Sequence, residues 1–518
     1  MGVEFWNLLH TYLECYRKQG RGLITILSPA PIKRGRGMKK IFLPLVAMAL
    51  TVLLSLSVSG SIPEDAQALT AKPNIVFILT DDLRKDDLKY MPKTRSVLRA
   101  KGMSFSNAFV SNALCCPSRA TIMRGQYAHN TGVWTNENGS GLDAGGQAYR
   151  NKGNEKDNVA TRLDAAGYRT ALIGRYLSGI KNKTSVPQGW DYWFSTWGGY
   201  FRYDANDQGT IRHFGTKASD YRTDVESRKT RMFIGTSVAR GKPFFAYVAP
   251  KAPHSPSTPA PRDRHAYDGL KAPRLPSFKE KNISDKPRWI RKLPRLSDAK
   301  KAKIDNHAEK RAESLQAVDD LVAGVVGKLT DKRVLGNTYI FFTSDNGWHH
   351  GEHRIPAKKA RPYEEDVRMP LLVRGPGVAA GHQASKLVLN TDYLPTFTDL
   401  ACPSSSPCNT QNYSYVPDGR SLRPVLKGNA TAWRSAVLLE AHHTPEGGAT
   451  PAYSGIRTSG TKYVEYAGGT RELYFLGHDP YELMNKYPAA KPSARLVSRL
   501  HALRTCAGSG CWAAENGP

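Results

Sequence analysis

Continuous apolar runs alternate with amphipathic stretches along most of the chain. Residues 74–79 form an apolar run without polar alternation, which predicts a strand buried on both faces, and four further runs have the same character: 170–173, 243–248, 338–342 and 370–373. Residues 157–166 and 308–329 have helical periodicity. Strands that alternate with helices predict an α/β fold with a mostly parallel central sheet covered by helices.

The pattern of apolar runs and amphipathic stretches changes twice, first at residues 250–300 and again after about residue 400. Residues 250–300 are rich in Pro, Lys and Arg, which predicts a long surface excursion. After about residue 400, short strand-like runs at 462–466 and 472–475 predict a small antiparallel sheet, and 493–503 predicts a closing helix. We therefore predict a main domain over 72–400 and a small C-terminal α+β subdomain over 401–518.

The first 68 residues resemble a targeting segment. Met38 opens a basic stretch, residues 41–58 are apolar, and a small-residue cleavage pattern ends at Ala68. This order predicts a secretory signal peptide that starts at Met38 after an N-terminal extension over 1–37, with cleavage near Ala68 and export of the mature protein. The alternative is a membrane anchor, since about 18–20 apolar residues span a bilayer. The cleavage pattern favours export and no stable membrane partner.

Composition and charge narrow the function classes. Hydrophobic residues make up 40% of the 518 residues, which excludes wholesale disorder. The net charge is +29, and the residues after position 68 keep 66 basic against 41 acidic side chains. This excess favours a polyanionic partner such as a sulfated or uronic polysaccharide. A nucleic-acid partner has only the charge in its favour, and the predicted export argues against it, so we expect no nucleic-acid partner.

The seven cysteines are too few for a disulfide scaffold and lack the spacing of a zinc site. Export permits disulfides, and two pairs flank short loops. We predict local disulfides between Cys402 and Cys408 and between Cys506 and Cys511.

Two acidic pairs follow predicted buried strands. Asp81-Asp82 comes after the run at 75–79, and Asp345-Asn346 after the run at 340–342. Ligands of open α/β sheets bind beyond the carboxyl ends of the strands, and oxygen ligands suit a hard divalent cation. Taken singly, each pair is more typical of a turn or helix cap.

A third element is the run C-x-P-S-R, which begins at Cys115 and ends at Arg119. Pro117 and Ser118 predict that a helix starts here, and the N–H groups of a helix N-terminus favour an anion. The alternative is a buried cysteine before a proline-started helix.

With these three elements in order, the sequence resembles the sulfatase family of the alkaline-phosphatase superfamily. The C-x-P-S-R run, the following Gly-Gln-Tyr-Ala-His at 125–129 and a tail motif at 472–480 support the resemblance, which covers about residues 72–490. The Cys-Cys-Pro-Ser-Arg doublet and the Ala-Pro-His-Ser-Pro run at 252–256 look most similar to the N-acetylglucosamine-6-sulfatase branch.

The resemblance implies a metal site, with Ca²⁺ the usual ion and Mg²⁺ the alternative. Its ligands would be Asp81, Asp82, Cys115, Asp345 and Asn346. It also implies that Cys115 is oxidised to formylglycine by a formylglycine-generating enzyme. The hydrated aldehyde of formylglycine attacks sulfur with one hydroxyl, and its other hydroxyl drives release of sulfate.

Four further residues match the family as catalytic groups: Cys115 is joined by Arg119, His254, Lys359 and Arg175. Arg119 would hold the hydrated aldehyde, and His254 resembles the family histidine near the leaving oxygen. Lys359 falls where a sulfate-binding lysine is expected, with the adjacent Lys358 as the alternative. Most relatives carry a lysine where this chain has Arg175, and Leu177 replaces a histidine found in some relatives, which leaves the leaving-group proton donor open.

Two other motifs have competing interpretations. The aromatic runs at 189–193 and 197–203 suit either sugar stacking at the substrate entrance or core packing. The histidines at 349, 350 and 353 look metal-binding in isolation, but a loop beside the sulfate site is favoured, because hard-cation sites prefer oxygen.

The sequence thus predicts an exported sulfuric ester hydrolase that acts on a sulfated sugar, such as N-acetylglucosamine 6-sulfate in a polysaccharide. One alternative is another ester on the same site: an aryl or choline sulfate or a phosphonate monoester. The alternative from a different class is a non-catalytic polysaccharide-binding protein of the same fold. The complete set of site residues argues against it.

Overall fold

The computed structural model describes residues 72–136, 144–402, 413–443 and 447–517. The predicted signal peptide, its start at Met38 and its cleavage near Ala68 lie outside these residues. None of the helices in the described ranges is both long enough and apolar enough to cross a membrane.

A ten-stranded sheet forms the centre of the fold. Its strands are β1 (Asn74–Thr80), β2 (Met103–Phe105), β4 (Arg169–Gly174), β5 (Tyr192–Gly198), β6 (Tyr203–Asp207), β7 (Thr210–Phe214), β8 (Phe244–Ala249), β9 (Thr338–Ser344), β11 (Leu372–Arg374) and β12 (Gln383–Ala384). Their order is β12-β2-β11-β9-β1-β8-β4-β5-β6-β7. The five central strands, β9 to β5 in this order, run parallel, and antiparallel strands flank them. The predicted mostly parallel central sheet is confirmed.

The eight helices of seven or more residues in the described ranges are numbered here in chain order. They are α1 (Cys115–Arg124), α2 (Gly145–Asn151), α3 (Val159–Ala165), α4 (Arg222–Ala239), α5 (Asp298–Asp331), α6 (Tyr393–Ala401), α7 (Ala494–Leu503) and α8 (Ser509–Asn516). Helix α5 begins ten residues before the predicted start at 308. Its first turns are mostly exposed and polar, so they lack an apolar stripe, and Ser297 caps them by accepting from the Lys300 N–H.

Helices cover both faces of the sheet. In β1, Ile75, Phe77 and Leu79 belong to one buried cluster, and Val76 and Ile78 belong to another. The first cluster includes side chains of α1, α3 and α6, and the second those of α4 and α5. Because successive side chains of a strand point to opposite faces, a strand between two helix layers is apolar at every position.

Two smaller sheets complete the fold. One has the order β10-β3-β13 (Arg368–Met369, Ala108–Phe109, Val388–Leu389). The other is the antiparallel meander β14 (Ala436–Ala441), β15 (Tyr453–Thr458), β16 (Thr461–Tyr466) and β17 (Arg471–Phe475). The meander and the closing helix α7 confirm the predicted C-terminal elements.

The C-terminal region shares its core with the main sheet region. A buried cluster joins residues of the meander to Tyr127 and Tyr363. Cys506 and Cys511 form the predicted disulfide. Cys402 is also disulfide-bonded, but its predicted partner Cys408 lies outside the described residues. The domain ranges 72–400 and 401–518 stay predictions.

Candidate active site and metal centre

The register of two parallel strands brings the acidic pairs together. In the β1–β9 ladder, Thr80 pairs with Ser344, so Asp81 and Asp345 leave adjacent strand ends. The Asp82 N–H donates to Asp345 Oδ1 at 3.2 Å. Asp82 has φ +66°, a left-handed conformation that Asp tolerates better than most residues and that often occurs at functional sites.

Helix α1 delivers the cysteine to the same place. Leu114 is the extended N-cap, and Cys115 is the first helical residue. Every residue of α1 is buried, and Cys115 Sγ lies 3.4 Å from Asp81 Oδ1. Cys116 points elsewhere, since its Sγ accepts from the Ser178 N–H at 3.1 Å. The two adjacent cysteines thus have different surroundings.

Arg119 and Arg175 form ion pairs with the carboxylates of Asp81 and Asp345. Arg119 Nε donates to Asp345 Oδ2 at 2.8 Å, and its Nη2 donates to Asp81 Oδ2 at 3.3 Å. Arg175 pairs with Asp81 and donates from Nη2 to Ser178 Oγ at 3.0 Å. Gly174, which precedes Arg175, has φ +112°, and a Cβ there would lie 2.2 Å from the carbonyl oxygen of Ala249. Only glycine lets β4 end this close to β8.

Lys359 and His254 complete the site. Lys359 Nζ donates to Cys115 Sγ at 2.8 Å and pairs with Asp82. Lys358 is exposed, so the structure brings Lys359 rather than its neighbour to the cysteine. His254 Nε2 lies 3.8 Å from Asp82 Oδ2, and its Nδ1 is 2.8 Å from the carbonyl oxygen of Ser255. Every predicted site residue therefore lies at this carboxyl end of the parallel strands.

The donor set fits a divalent cation. One ligand atom each of Asp81, Asp82, Cys115 and Asp345 lies within 4.8 Å of the others. Asn346 Nδ2 donates to Asp82 Oδ1 at 2.6 Å, while Asn346 Oδ1 and Asp82 Oδ2 are buried and lack a hydrogen-bond partner within the described ranges. Buried oxygens without a donor are rare in native proteins, and a cation would satisfy them.

The pKa shifts of Asp81, Asp345 and Cys115 reflect the close approach of buried charged groups in the site. Burial raises the pKa of Asp81, but Arg175, His254 and Arg119 outweigh burial and hold it well below its usual range. Burial and the charge of Asp81 raise the pKa of Asp345 to about 6. Burial and Asp81 also raise the pKa of the Cys115 thiol. A further positive charge would relieve the repulsion between the carboxylates.

The structure also places the aromatic runs and the three histidines that had competing interpretations. Trp193 is 3% exposed and packs at the edge of Tyr176 with ring centroids 5.0 Å apart. Both Trp193 and the partly exposed Trp197 line a cavity next to Arg175. The histidines 349, 350 and 353 are buried, and none of them belongs to a potential metal cluster of the described residues.

Sequence reasoning missed Ser178, which contacts both Arg175 and Cys116. It also missed Lys251, which lines the same cavity as Arg175. A lysine three residues before His254 was visible in the sequence, but its direction depends on how the loop after β8 turns.

Comparison with known proteins agrees with this geometry. The family model described as Sulfatase matches residues 73–403, and the model described as N-sulphoglucosamine sulphohydrolase, C-terminal, matches residues 351–505. The chain is 35% identical to human N-acetylglucosamine-6-sulfatase over 435 residues, covering 80% of this chain and 74% of that protein. It is 32% identical to an arylsulfatase of Volvox carteri, covering 89% of this chain and 79% of that protein.

A solved structure shares the fold. It holds a protein in complex with its substrate D-glucosamine-2-N,6-O-disulfate and superposes with a TM-score of 0.68. The identity is 24%, and the match covers 86% of this chain and 99% of the other.

Proposed function

We propose that this protein removes the 6-sulfate from a glucosamine unit of a sulfated polysaccharide. The proposal starts from the family: the chain belongs to the sulfatase family and is therefore a sulfuric ester hydrolase. The observation that carries the proposal is the convergence of Asp81, Asp82, Cys115 and Asp345 within 4.8 Å at the carboxyl ends of two parallel strands. The 35% identity to human N-acetylglucosamine-6-sulfatase supports the choice of sugar.

The site would hold Ca²⁺, with Mg²⁺ as the alternative, through Asp81, Asp82, Asp345, Asn346 and residue 115. A bound cation would supply positive charge next to the sulfate oxygens and the nucleophile. Formylglycine at position 115, formed by a formylglycine-generating enzyme, would supply a hydroxyl nucleophile once its aldehyde is hydrated.

The cations of the chain bind and orient the sulfate ester. Lys359 Nζ, which already contacts Cys115 Sγ, is positioned to donate to the nucleophile or to a sulfate oxygen. Arg175 forms an ion pair with Asp81 and lines the adjoining cavity. Its guanidinium is the proposed donor to a sulfate oxygen, a position where most relatives have a lysine. Arg119 is 1% exposed and locks Asp345 and Asp81 in place. These fixed charges stabilise negative charge without reorganisation during the reaction.

His254 is the proposed proton donor to the leaving oxygen. Burial lowers the pKa of His254 to about 4, against the attraction of Asp82 and Asp81. Its Nδ1–H donates to the Ser255 carbonyl, so Nε2 faces the site and takes up a proton. The negative charge of a bound sulfate ester would raise the pKa of His254 and so favour that protonation.

We further propose that the protein acts outside the cytoplasm after cleavage near Ala68. This rests on the signal-peptide pattern of residues 38–68. A sulfated polysaccharide is an extracellular polyanion, which matches the positive net charge of the chain.

An aryl sulfate is the second candidate substrate, favoured by the 32% identity to the Volvox arylsulfatase. Metal-loaded protein should be assayed with N-acetylglucosamine 6-sulfate, an aryl sulfate and an aryl phosphonate monoester, with Cys115→Ala as the matched control. We expect the highest kcat/KM with the sugar sulfate and no turnover by the control. Turnover of the phosphonate alone would overturn the proposal, and so would preference for the aryl sulfate over every sulfated sugar.

A further inference from the structure

A cavity of about 350 Å³ opens next to the sulfate site, on the Arg175 side. Its lining includes Arg175, Ser178 and Trp197. Five cationic residues contribute to it, and none of the described residues that line it is a carboxylate: the cations are Arg150, Arg175, Lys183, Arg222 and Lys251. A concave site with this charge suits an anion.

Three of these cations already have a carboxylate partner. Arg150 pairs with Glu155 at 2.9 Å, Arg222 pairs with Glu226 at 2.9 Å, and Arg175 pairs with Asp81. Their charges therefore serve the fold or the sulfate site.

The two lysines differ from the arginines. Lys183 is exposed, and its Nζ lies 5.5 Å from the ring centroid of Trp197. Lys251 is half-buried, and its Nζ makes neither a hydrogen bond nor an ion pair with any side chain of the described ranges. Its Nζ lies 5.8 Å from the ring centroid of Tyr200. Burial, with the charges of Arg222 and Arg175 added, lowers the pKa of Lys251 to about 8, against the weaker attraction of Asp81 and Asp82. A half-buried ammonium without a counter-ion is unfavourable, and a bound anion would offset that cost.

The fold holds Lys251 next to the sulfate site. Gly174 of β4 pairs with Ala249 of β8, and the Arg175 N–H donates to the Ala249 carbonyl at 2.8 Å. Lys251 follows Ala249 by two residues, and its carbonyl accepts from the His254 N–H at 2.9 Å. The loop is further fixed because the Asp81 N–H donates to the Ala252 carbonyl at 3.4 Å. Lys251 is therefore tied to Arg175, His254 and Asp81 through the backbone.

We propose that this cavity binds a second anionic group of the substrate, a sulfate or a carboxylate close to the ester that is cleaved, and that Lys251 recognises it. The proposal rests on the proposed function, because it deepens the substrate class of the same site. Trp197 offers an apolar ring face beside the charge. The enzyme would then prefer sugars with two anionic groups over sugars with the 6-sulfate alone.

The test compares substrates that differ in the second anion. Wild type, Lys251→Met and Lys251→Arg are assayed with N-acetylglucosamine 6-sulfate, with glucosamine 2-N,6-O-disulfate and with a disaccharide of a uronate and N-acetylglucosamine 6-sulfate. Lys251→Met should lose about 10- to 100-fold in kcat/KM with a doubly charged substrate, as expected for a lost hydrogen bond between charged groups, and at most a few-fold with the singly charged one. Lys251→Arg should recover part of the loss.

The doubly charged substrate that shows the loss identifies the source of the anion, the N-sulfate or the neighbouring carboxylate. Lys181→Met, at an exposed lysine of the segment that precedes Lys183, is the control and should match wild type on all three substrates. An equal loss on all three would place Lys251 at the cleaved sulfate and overturn the proposal, as would no loss on any.

A binding measurement separates this proposal from the proposed function. Calorimetry with glucosamine N-sulfate, the uronate–N-acetylglucosamine disaccharide and N-acetylglucosamine, none of which has a 6-sulfate, does not depend on turnover. At least one of the two anionic sugars should bind wild type more tightly than N-acetylglucosamine, and Lys251→Met should abolish that difference. Wild type that binds all three equally would overturn the second anion site even if the 6-sulfate is cleaved, whereas preserved discrimination without 6-sulfate turnover would overturn only the proposed function.

Discussion

The ammonium of Lys359 lies 2.8 Å from the sulfur of Cys115, although 244 positions separate the two residues in the chain. Lys359 also pairs with Asp82, and Cys115 Sγ is 3.4 Å from Asp81 Oδ1. A positive group and a carboxylate thus flank the sulfur. A nucleophile at residue 115 would therefore meet a cationic group that stabilises its negative charge.

Cys115 should be the modified cysteine. Peptide mass analysis of active protein should find formylglycine at Cys115 and an ordinary cysteine at Cys116, because only Cys115 faces the carboxylates. Cys115→Ala should be inactive. Cys116→Ala should keep most activity and lose about 1–2 kcal/mol of stability through lost packing. An unmodified thiol at Cys115 in fully active protein would contradict the mechanism.

Asp345→Asn should separate metal binding from folding. Burial and Asp81 raise the pKa of Asp345 to about 6, so its ionised form at neutral pH opposes folding, and removing that charge should leave the metal-free protein at least as stable. Calorimetry should show lost Ca²⁺ binding, and turnover should stop. Asp331→Asn, at an exposed acid of α5, is the control.

Chelation should have the same effect on the wild type, reversed by added Ca²⁺. Full activity after exhaustive chelation would rule out the metal site.

Arg175 should bind sulfate in place of the usual lysine. Arg175→Ala removes a charge-assisted hydrogen bond to the ester and should lower kcat/KM by about 100-fold or more. Arg175→Lys keeps the charge but not the planar fork, so part of the activity should remain. Steady-state kinetics on N-acetylglucosamine 6-sulfate measure both variants. Unchanged kinetics of Arg175→Ala would assign the guanidinium a purely structural role.

Lys359 and Lys358 form a matched pair. Lys359 is 4% exposed and contacts Cys115, whereas Lys358 is exposed. Lys359→Met should lower kcat by about 100-fold or more, because it removes a positive charge beside the nucleophile. Lys358→Met should match wild type. Equal effects of the two substitutions would mean that general surface charge, rather than the contact with Cys115, is responsible.

The Cys506–Cys511 disulfide should stabilise the C-terminal helices without affecting catalysis. It closes a loop of five positions, which predicts about 2 kcal/mol of stabilisation. The double variant Cys506→Ser, Cys511→Ser should unfold at lower urea concentration and keep its kcat/KM. A loss of turnover in folded protein would show that this loop supports the site through His129 and Asn130, which both contact the Cys506 carbonyl.

The sequence by itself determined the features that depend on neighbouring residues. Buried strands such as β1 are apolar at every position, because helices cover both faces. The acidic pairs directly follow strand ends, and Pro117 in the first turn marks the start of α1. These local signals predicted the α/β sheet, the acidic pairs at the strand ends and the start of the helix that presents Cys115. The full set of candidate metal ligands came from the resemblance to the sulfatase family.

Tertiary structure alone decided which distant groups meet. The choice between Lys358 and Lys359 depends on the path of the loop after β9, and the pairing of Arg175 with Asp81 depends on the register of β4, β8 and β1. The fact that Trp193 both packs in the core and lines the cavity, and the fact that Lys251 has no ion-pair partner in the described ranges, likewise depend on elements far apart in sequence. Register and loop path result from packing over the whole sheet, so the residues next to a side chain in sequence do not specify its partners in space.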